Sequence, residues 1–140
     1  MSATPTRLTE IGTAPRLLRA ARVGTLLPGV GLGPRPVRRI EATALVVPGA
    51  GGLDAYLAGL EAAAGDLAAW DGRVAHTAPG DEPMHRVLVV DRYGQVYAAF
   101  DGKADALPDA SDLEEWFRFL ATACPECGVL DDPIGRGWVP

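Results

Sequence analysis

Two thiols three residues apart, in Cys124-Pro125-Glu126-Cys127-Gly128, are the side chains best suited to do chemistry in this chain. A Cys-Pro-x-Cys-Gly turn is similar to one knuckle of a zinc ribbon, where two thiolates and the turn's amides grip one edge of a tetrahedral metal. One knuckle supplies two ligands of the four a closed site needs. The others would come from His76 or His85, from carboxylates, or from the same motif of a second subunit across a two-fold axis. Cys124 and Cys127 could instead be a redox pair. The apolar pattern before them predicts a helix that Pro125 ends, and the C-terminal end of a helix dipole disfavours a thiolate. A third reading leaves Cys124 as a small buried apolar residue and Cys127 without a role. Two cysteines so close exclude a structural disulfide framework, because they would close only a tiny loop.

Other candidates carry less. Gly49 to Gly52 opens onto a predicted helix and could present backbone donors to an anion. It is neither a G-x-G-x-x-G nor a phosphate loop with its Lys and Ser/Thr, and Asp54 would compete with an anion there. His76 and His85 are the two histidines. No Ser or Cys is spaced to be activated by either, so both read as surface or strand-end residues. Tyr93 and Tyr97 suit a hairpin. Asp112, Glu114 and Glu115 suit a helix N-terminus electrostatically without a metal.

The elements that would position these residues follow from hydrophobic periodicity. Ala42 to Val47 is a continuous apolar run bounded by Pro48-Gly49, the mark of a strand buried on both faces. Leu53, Tyr56, Leu57, Leu60, Ala64 and Leu67 then recur at three- and four-residue spacing, predicting one amphipathic helix of about four to five turns. Residues 73–77 form a short strand candidate and 78–85 a polar, proline-bearing loop. Val87 to Val90, the turn Asp91-Arg92-Tyr93-Gly94, and Gln95 to Phe100 read as an antiparallel hairpin. Ser111 and Glu114 have capping-box spacing, and Leu113, Trp116, Phe117, Leu120 and Cys124 share one helical face. Before Ala42, residues 1–22 allow one short helix, and the glycines and prolines of 23–39 read as turns around a loose hairpin. The order predicts a single α/β domain, a central mixed β-sheet flanked by helices.

Composition bounds the rest. The chain has 140 residues, 48% of them apolar and 22% charged, with a mean hydropathy of +0.09, which is enough for one domain with a core. No stretch approaches the about 18–20 apolar residues of a membrane span, and no secretory signal pattern opens it, so the expectation is a cytoplasmic protein with no membrane partner. Seven arginines (7, 16, 19, 22, 35, 38, 39) against Glu10 and Glu41 give residues 1–41 a charge of +5, leaving −10 on the remainder. That division predicts a basic arm docked on its own acidic body or on a partner subunit. A solvated arm is the alternative. An acidic body would repel a phosphate backbone, so no nucleic acid is expected.

Over residues 23–123 the sequence resembles the thioredoxin-like fold, in particular the redoxin branch of peroxiredoxins and thiol reductases. RVLVVDRYGQVYAAF (86–100) is similar to that branch's strand, Gly-bearing turn and next strand. VGTLLPGVGLGPRPVRR (23–39) is similar to its entry hairpin, and TALVVPGAGGLDAYLAGL (43–60) to its central strand, active-site loop and long helix. The resemblance implies a thiol centre in the loop after the central strand. That loop here reads Gly49-Ala50-Gly51-Gly52-Leu53, with Ala50 and Leu53 where the family's two cysteines would fall. The family's cis-proline has no counterpart in register, since Pro83 falls about two residues early. The resemblance divides the chain into a basic arm (1–22), a thioredoxin-like domain (23–123), and the cysteine knuckle with an irregular tail (124–140). The function it implies is a binding or assembly module with a degenerate active-site loop, partnered by another protein or a second copy. Thiol-disulfide exchange through Cys124 and Cys127 is the alternative, and a zinc site shared across a dimer a further one. No cofactor other than that zinc is expected.

Overall fold

Side chains alternate across each strand of a five-stranded mixed sheet, and the two faces carry two separate cores. The computed structural model describes residues 9–10, 15–27 and 42–122. Its strands are β1 (Thr9–Glu10), β2 (Ala42–Val47), β3 (Gly72–His76), β4 (His85–Val90) and β5 (Val96–Gly102). Its helices are α1 (Pro15–Ala20), α2 (Asp54–Ala62), α3 (Ala64–Ala68) and α4 (Ala110–Thr122), with a short 3-10 turn at Ala104–Ala106. The strands lie in the order β1-β3-β2-β4-β5. β3 runs parallel to both β1 and β2, while β2–β4 and β4–β5 are antiparallel. This is a single α/β domain with helices flanking a mixed sheet.

β2 is central because every one of its residues is buried. Ala42, Ala44 and Val46 face a core shared with Leu53, Leu60, Leu67, Val74, Val87, Val89, Leu113, Phe117 and Leu120. Leu45 and Val47 face the opposite core, with Leu18, Ala21, Leu27, Ala75, Leu88, Val90 and Val96. α2, α3 and α4 therefore cover one face and α1 the other. The stretch read as an N-terminal arm belongs in part to the body: β1 pairs with β3, and Leu18 and Ala21 are buried. Of the predicted entry hairpin, residues 23–27 lie against the β4–β5 turn, with Gly24 donating to Val96 (2.8 Å) and Leu27 to Gly94 (2.7 Å).

Three local expectations change. The single long helix is two, because Ala63 leaves helical geometry (φ −98°, ψ 6°) and donates to Leu60, three residues back. Gly59 and Gly65 flank this joint and weaken helix propensity there. The cap of α4 is not Ser111 with Glu114. Asp109 and Asp112 instead accept each other's backbone N–H at 2.9 and 3.1 Å, two residues earlier. In the hairpin, the register slips between Val89–Ala98 and Val90–Val96, so Tyr97 is an extra residue on β5. That bulge turns Val96 to the α1 face while Ala98 stays on the α4 face.

Candidate functional site

The loop after β2, Pro48 to Leu53, is closed by its own backbone. Gly49 N–H donates to His85 Nδ1 (2.8 Å) and Ala50 N–H to the Glu82 carbonyl (2.7 Å). Gly80 N–H donates to Pro48 O (3.0 Å), and Gly52 N–H turns back to Gly49 O (3.1 Å). Arg19, reaching over from α1, donates from one guanidinium to both Pro48 O and Met84 O at 3.1 Å each. Only glycine fits at position 49, where a Cβ would collide with the carbonyls of Glu82 and Met84. Gly51 and Gly52 take φ of 85° and 73°, the left-handed region that glycine enters without strain.

This geometry assigns the candidate loop residues distinct places. Ala50 and Gly51 are exposed, and Leu53 is anchored in the core at 4% exposure. Leu53 starts α2 with no side-chain cap, and Asp54 occupies the first turn. The amides of Gly49, Ala50 and Gly52 that could have cradled an anion are spent on protein acceptors. No thiol, hydroxyl or amine stands between Pro48 and Leu53.

His85 is a strand-end residue, as read from the sequence, but not a surface one. It opens β4, is buried, and accepts from Gly49 through Nδ1, which places the ring proton on Nε2. Nδ1 is therefore committed to the Gly49 amide. His76 is half-buried at the end of β3, with Nδ1 3.2 Å from the Thr77 carbonyl. The buried Thr77 hydroxyl donates to Ala78 O at 3.1 Å. The two histidines thus lie on different strands, β3 and β4, each beside a loop backbone group. No cluster of three metal-ligating side chains exists among the described residues. Cys124 and Cys127 lie outside the described residues, and so do Pro125 and most of the basic segment before Ala42. No cis peptide bond occurs among the described residues.

Next to His85, Arg86 is a buried cation that the sequence reading did not single out. Its guanidinium donates to the carbonyls of Leu18 and Arg19, the last turn of α1, where a positive charge also complements the helix dipole. Its Nε lies 3.0 Å from Asp101 Oδ1, close enough for charge pairing but not aligned as a hydrogen bond. An arginine directly before the apolar run Val87 to Val90 is the sequence signal for such a role, because a buried cation requires partners.

A second feature lies on the opposite side of the sheet, between the end of β5 and α4. A cleft of about 590 Å³ is lined by Phe100, Leu107 and Pro108 on one wall and by Asp112, Glu115, Trp116 and Phe119 on the other. It is an open surface cleft rather than an enclosed cavity. Phe119, 53% exposed, meets Trp116 and Tyr97 edge-on, with ring centroids 6.1 and 6.4 Å apart. Behind the wall, the Tyr56 hydroxyl donates to Pro108 O at 2.7 Å. Burial, with the charges of Asp109 and Asp112 added, pushes that phenol above its ordinary range. No helix among the described residues is long and apolar enough to cross a membrane. Comparison with protein-family models, with curated proteins and with solved structures returned no match, so the loop and the cleft themselves must carry the functional argument.

Proposed function

We propose that this chain is a thioredoxin-like domain of the redoxin kind whose active-site loop is a structural closure, and that it works as a non-catalytic binding or assembly module in the cytoplasm. The strand order β1-β3-β2-β4-β5, with parallel pairing on one side of β2 and antiparallel on the other, supports the fold reading. The observation that carries the functional reading is the loop itself. Gly49 and Ala50 are tied to residues 82–85, Leu53 is buried, and nothing in the segment can attack a disulfide or a peroxide. A binding protein needs a rigid scaffold and an accessible face, and the loop's bonds serve the first requirement.

The test is disulfide-reductase turnover of the full chain beside its Cys124→Ser/Cys127→Ser double variant. The expected result is no acceleration of insulin reduction by dithiothreitol in either protein, with equal melting temperatures. Acceleration by the wild type that the double variant loses would overturn the reading and put thiol chemistry on the knuckle.

A further inference from the structure

We propose that the cleft between β5 and α4 is a docking groove for an arginine-bearing, otherwise apolar segment of a partner protein. The inference rests on the reading of the domain as a binding module and adds the face and the chemistry of the partner.

The core side of α4 is already filled. Leu113, Phe117 and Leu120 are buried on it, with Ala110 and Trp116 packed at its margin. Asp112, Glu115, Trp116 and Phe119 form a second stripe at helical spacing, turned toward Phe100, Leu107 and Pro108. Phe119 leaves about half of its surface in water while its ring leans on two other aromatic rings. Trp116, Tyr97 and Phe100 also pack against the core, so Phe119 is the one ring of the platform left exposed, and exposed apolar surface of this kind marks contact surfaces.

The charge around the platform selects the occupant. Residues 101–117 carry six carboxylates (Asp101, Asp105, Asp109, Asp112, Glu114, Glu115) against Lys103 alone. Asp101 is paired with Arg86, and Asp109 and Asp112 cap α4. Glu115 is exposed and makes no ion pair among the described residues. An acidic or purely apolar segment entering here would strip water from these carboxylates without replacing it, which is costly. A guanidinium meets both demands: its plane stacks on Trp116 or Phe119, and its fork matches a carboxylate such as Glu115. An ammonium has no such plane, so arginine is preferred over lysine.

The experiment titrates the full chain into a fluorescein-labelled peptide of alternating arginine and leucine, followed by anisotropy, with lysine–leucine and glutamate–leucine peptides alongside. The expected result is saturable binding of the arginine peptide, weaker binding of the lysine peptide, and none of the glutamate peptide. Glu115→Lys and Phe119→Ser, both at exposed positions, should each weaken the arginine peptide by about tenfold or more, with unchanged circular dichroism and melting. Ala50→Lys, in the exposed loop far along the chain, should leave it unchanged. Absence of binding, or binding that Glu115→Lys and Phe119→Ser leave intact, overturns the groove. Binding lost only in Ala50→Lys overturns the groove while leaving the binding-module reading in place, whereas cysteine-dependent reductase turnover removes that reading itself. A dimer in sedimentation that Glu115→Lys dissolves would seat a second copy of the chain there and overturn the assignment to a partner protein.

Discussion

Replacing Gly49 by alanine adds one methyl group at the place where the loop after β2 is pressed hardest against the start of β4. The new Cβ would fall inside the contact distance of the Glu82 and Met84 carbonyl oxygens, both backbone atoms that cannot rotate away. The chain must retreat by several tenths of an ångström, in the direction that lengthens the bonds from Gly49 to His85 (2.8 Å) and from Ala50 to Glu82 (2.7 Å). Overpacking costs about 1–3 kcal/mol. A buried acceptor such as His85 Nδ1 left without its donor adds about 1–3 kcal/mol. Loss of glycine's freedom in the unfolded chain returns about 0.4–1 kcal/mol. The net expectation is a loss of about 3 kcal/mol, roughly 10 °C in melting temperature for a domain of this size. Urea unfolding followed by circular dichroism measures it. Gly59→Ala is the internal reference: a Cβ there meets nothing within 4 Å, and the helical site should gain about 0.5–1 kcal/mol. Equal stability of Gly49→Ala and wild type would refute the closed-loop argument, since the loop would then have room that these contacts deny it.

The remaining expectations concern the core and its buried polar groups. Gly72→Ala drives a Cβ into the ring of the fully buried Phe117 and should cost about 2–3 kcal/mol; Phe117→Leu in the same chain should recover part of that, a coupling that a double-mutant cycle in urea reads directly. The Thr43 hydroxyl is buried with no hydrogen-bond partner among the described residues, so Thr43→Val should stabilise by about 1 kcal/mol, and a loss on chemical denaturation would show that the hydroxyl is used. Burial pushes the Asp91 carboxyl above its ordinary range, opposed by the backbone N–H groups of Gln95, Tyr93 and Gly94 and by Arg92. Its folded state therefore holds the proton more tightly than the unfolded chain, and this group's contribution to stability falls as pH rises from the ordinary carboxylate range through the raised value. Asp91→Asn keeps an oxygen for the Tyr93 and Gln95 amides and should remove that slope; an unchanged pH profile of urea midpoints would count against it.

Much of the scaffold was set by local pattern. Ala42 to Val47 had to be an interior strand because both of its faces are apolar, and the structure buries all six residues. The hairpin around Asp91 to Gly94 and the core face of α4 followed in the same way from alternation and helical spacing. The absence of any nucleophile between Pro48 and Leu53 is likewise a property of the sequence alone. Other features depend on which atoms the sheet brings together. His85 is buried because Gly49, thirty-six positions earlier in the chain, delivers an N–H to its ring. Arg86 can sit inside β4 because α1 ends where its guanidinium reaches two carbonyls. The break at Ala63, the Asp109–Asp112 cap and the bulge at Tyr97 were settled by fitting helices and strands to one another, against a local pattern that allowed smoother alternatives. The cleft has the same origin: Phe100 and Phe119 become neighbours only when α4 crosses the end of β5. Periodicity along a chain records which side of an element is apolar, whereas the partner of a buried polar group and the shape of a surface are products of register and packing, which only the folded chain possesses.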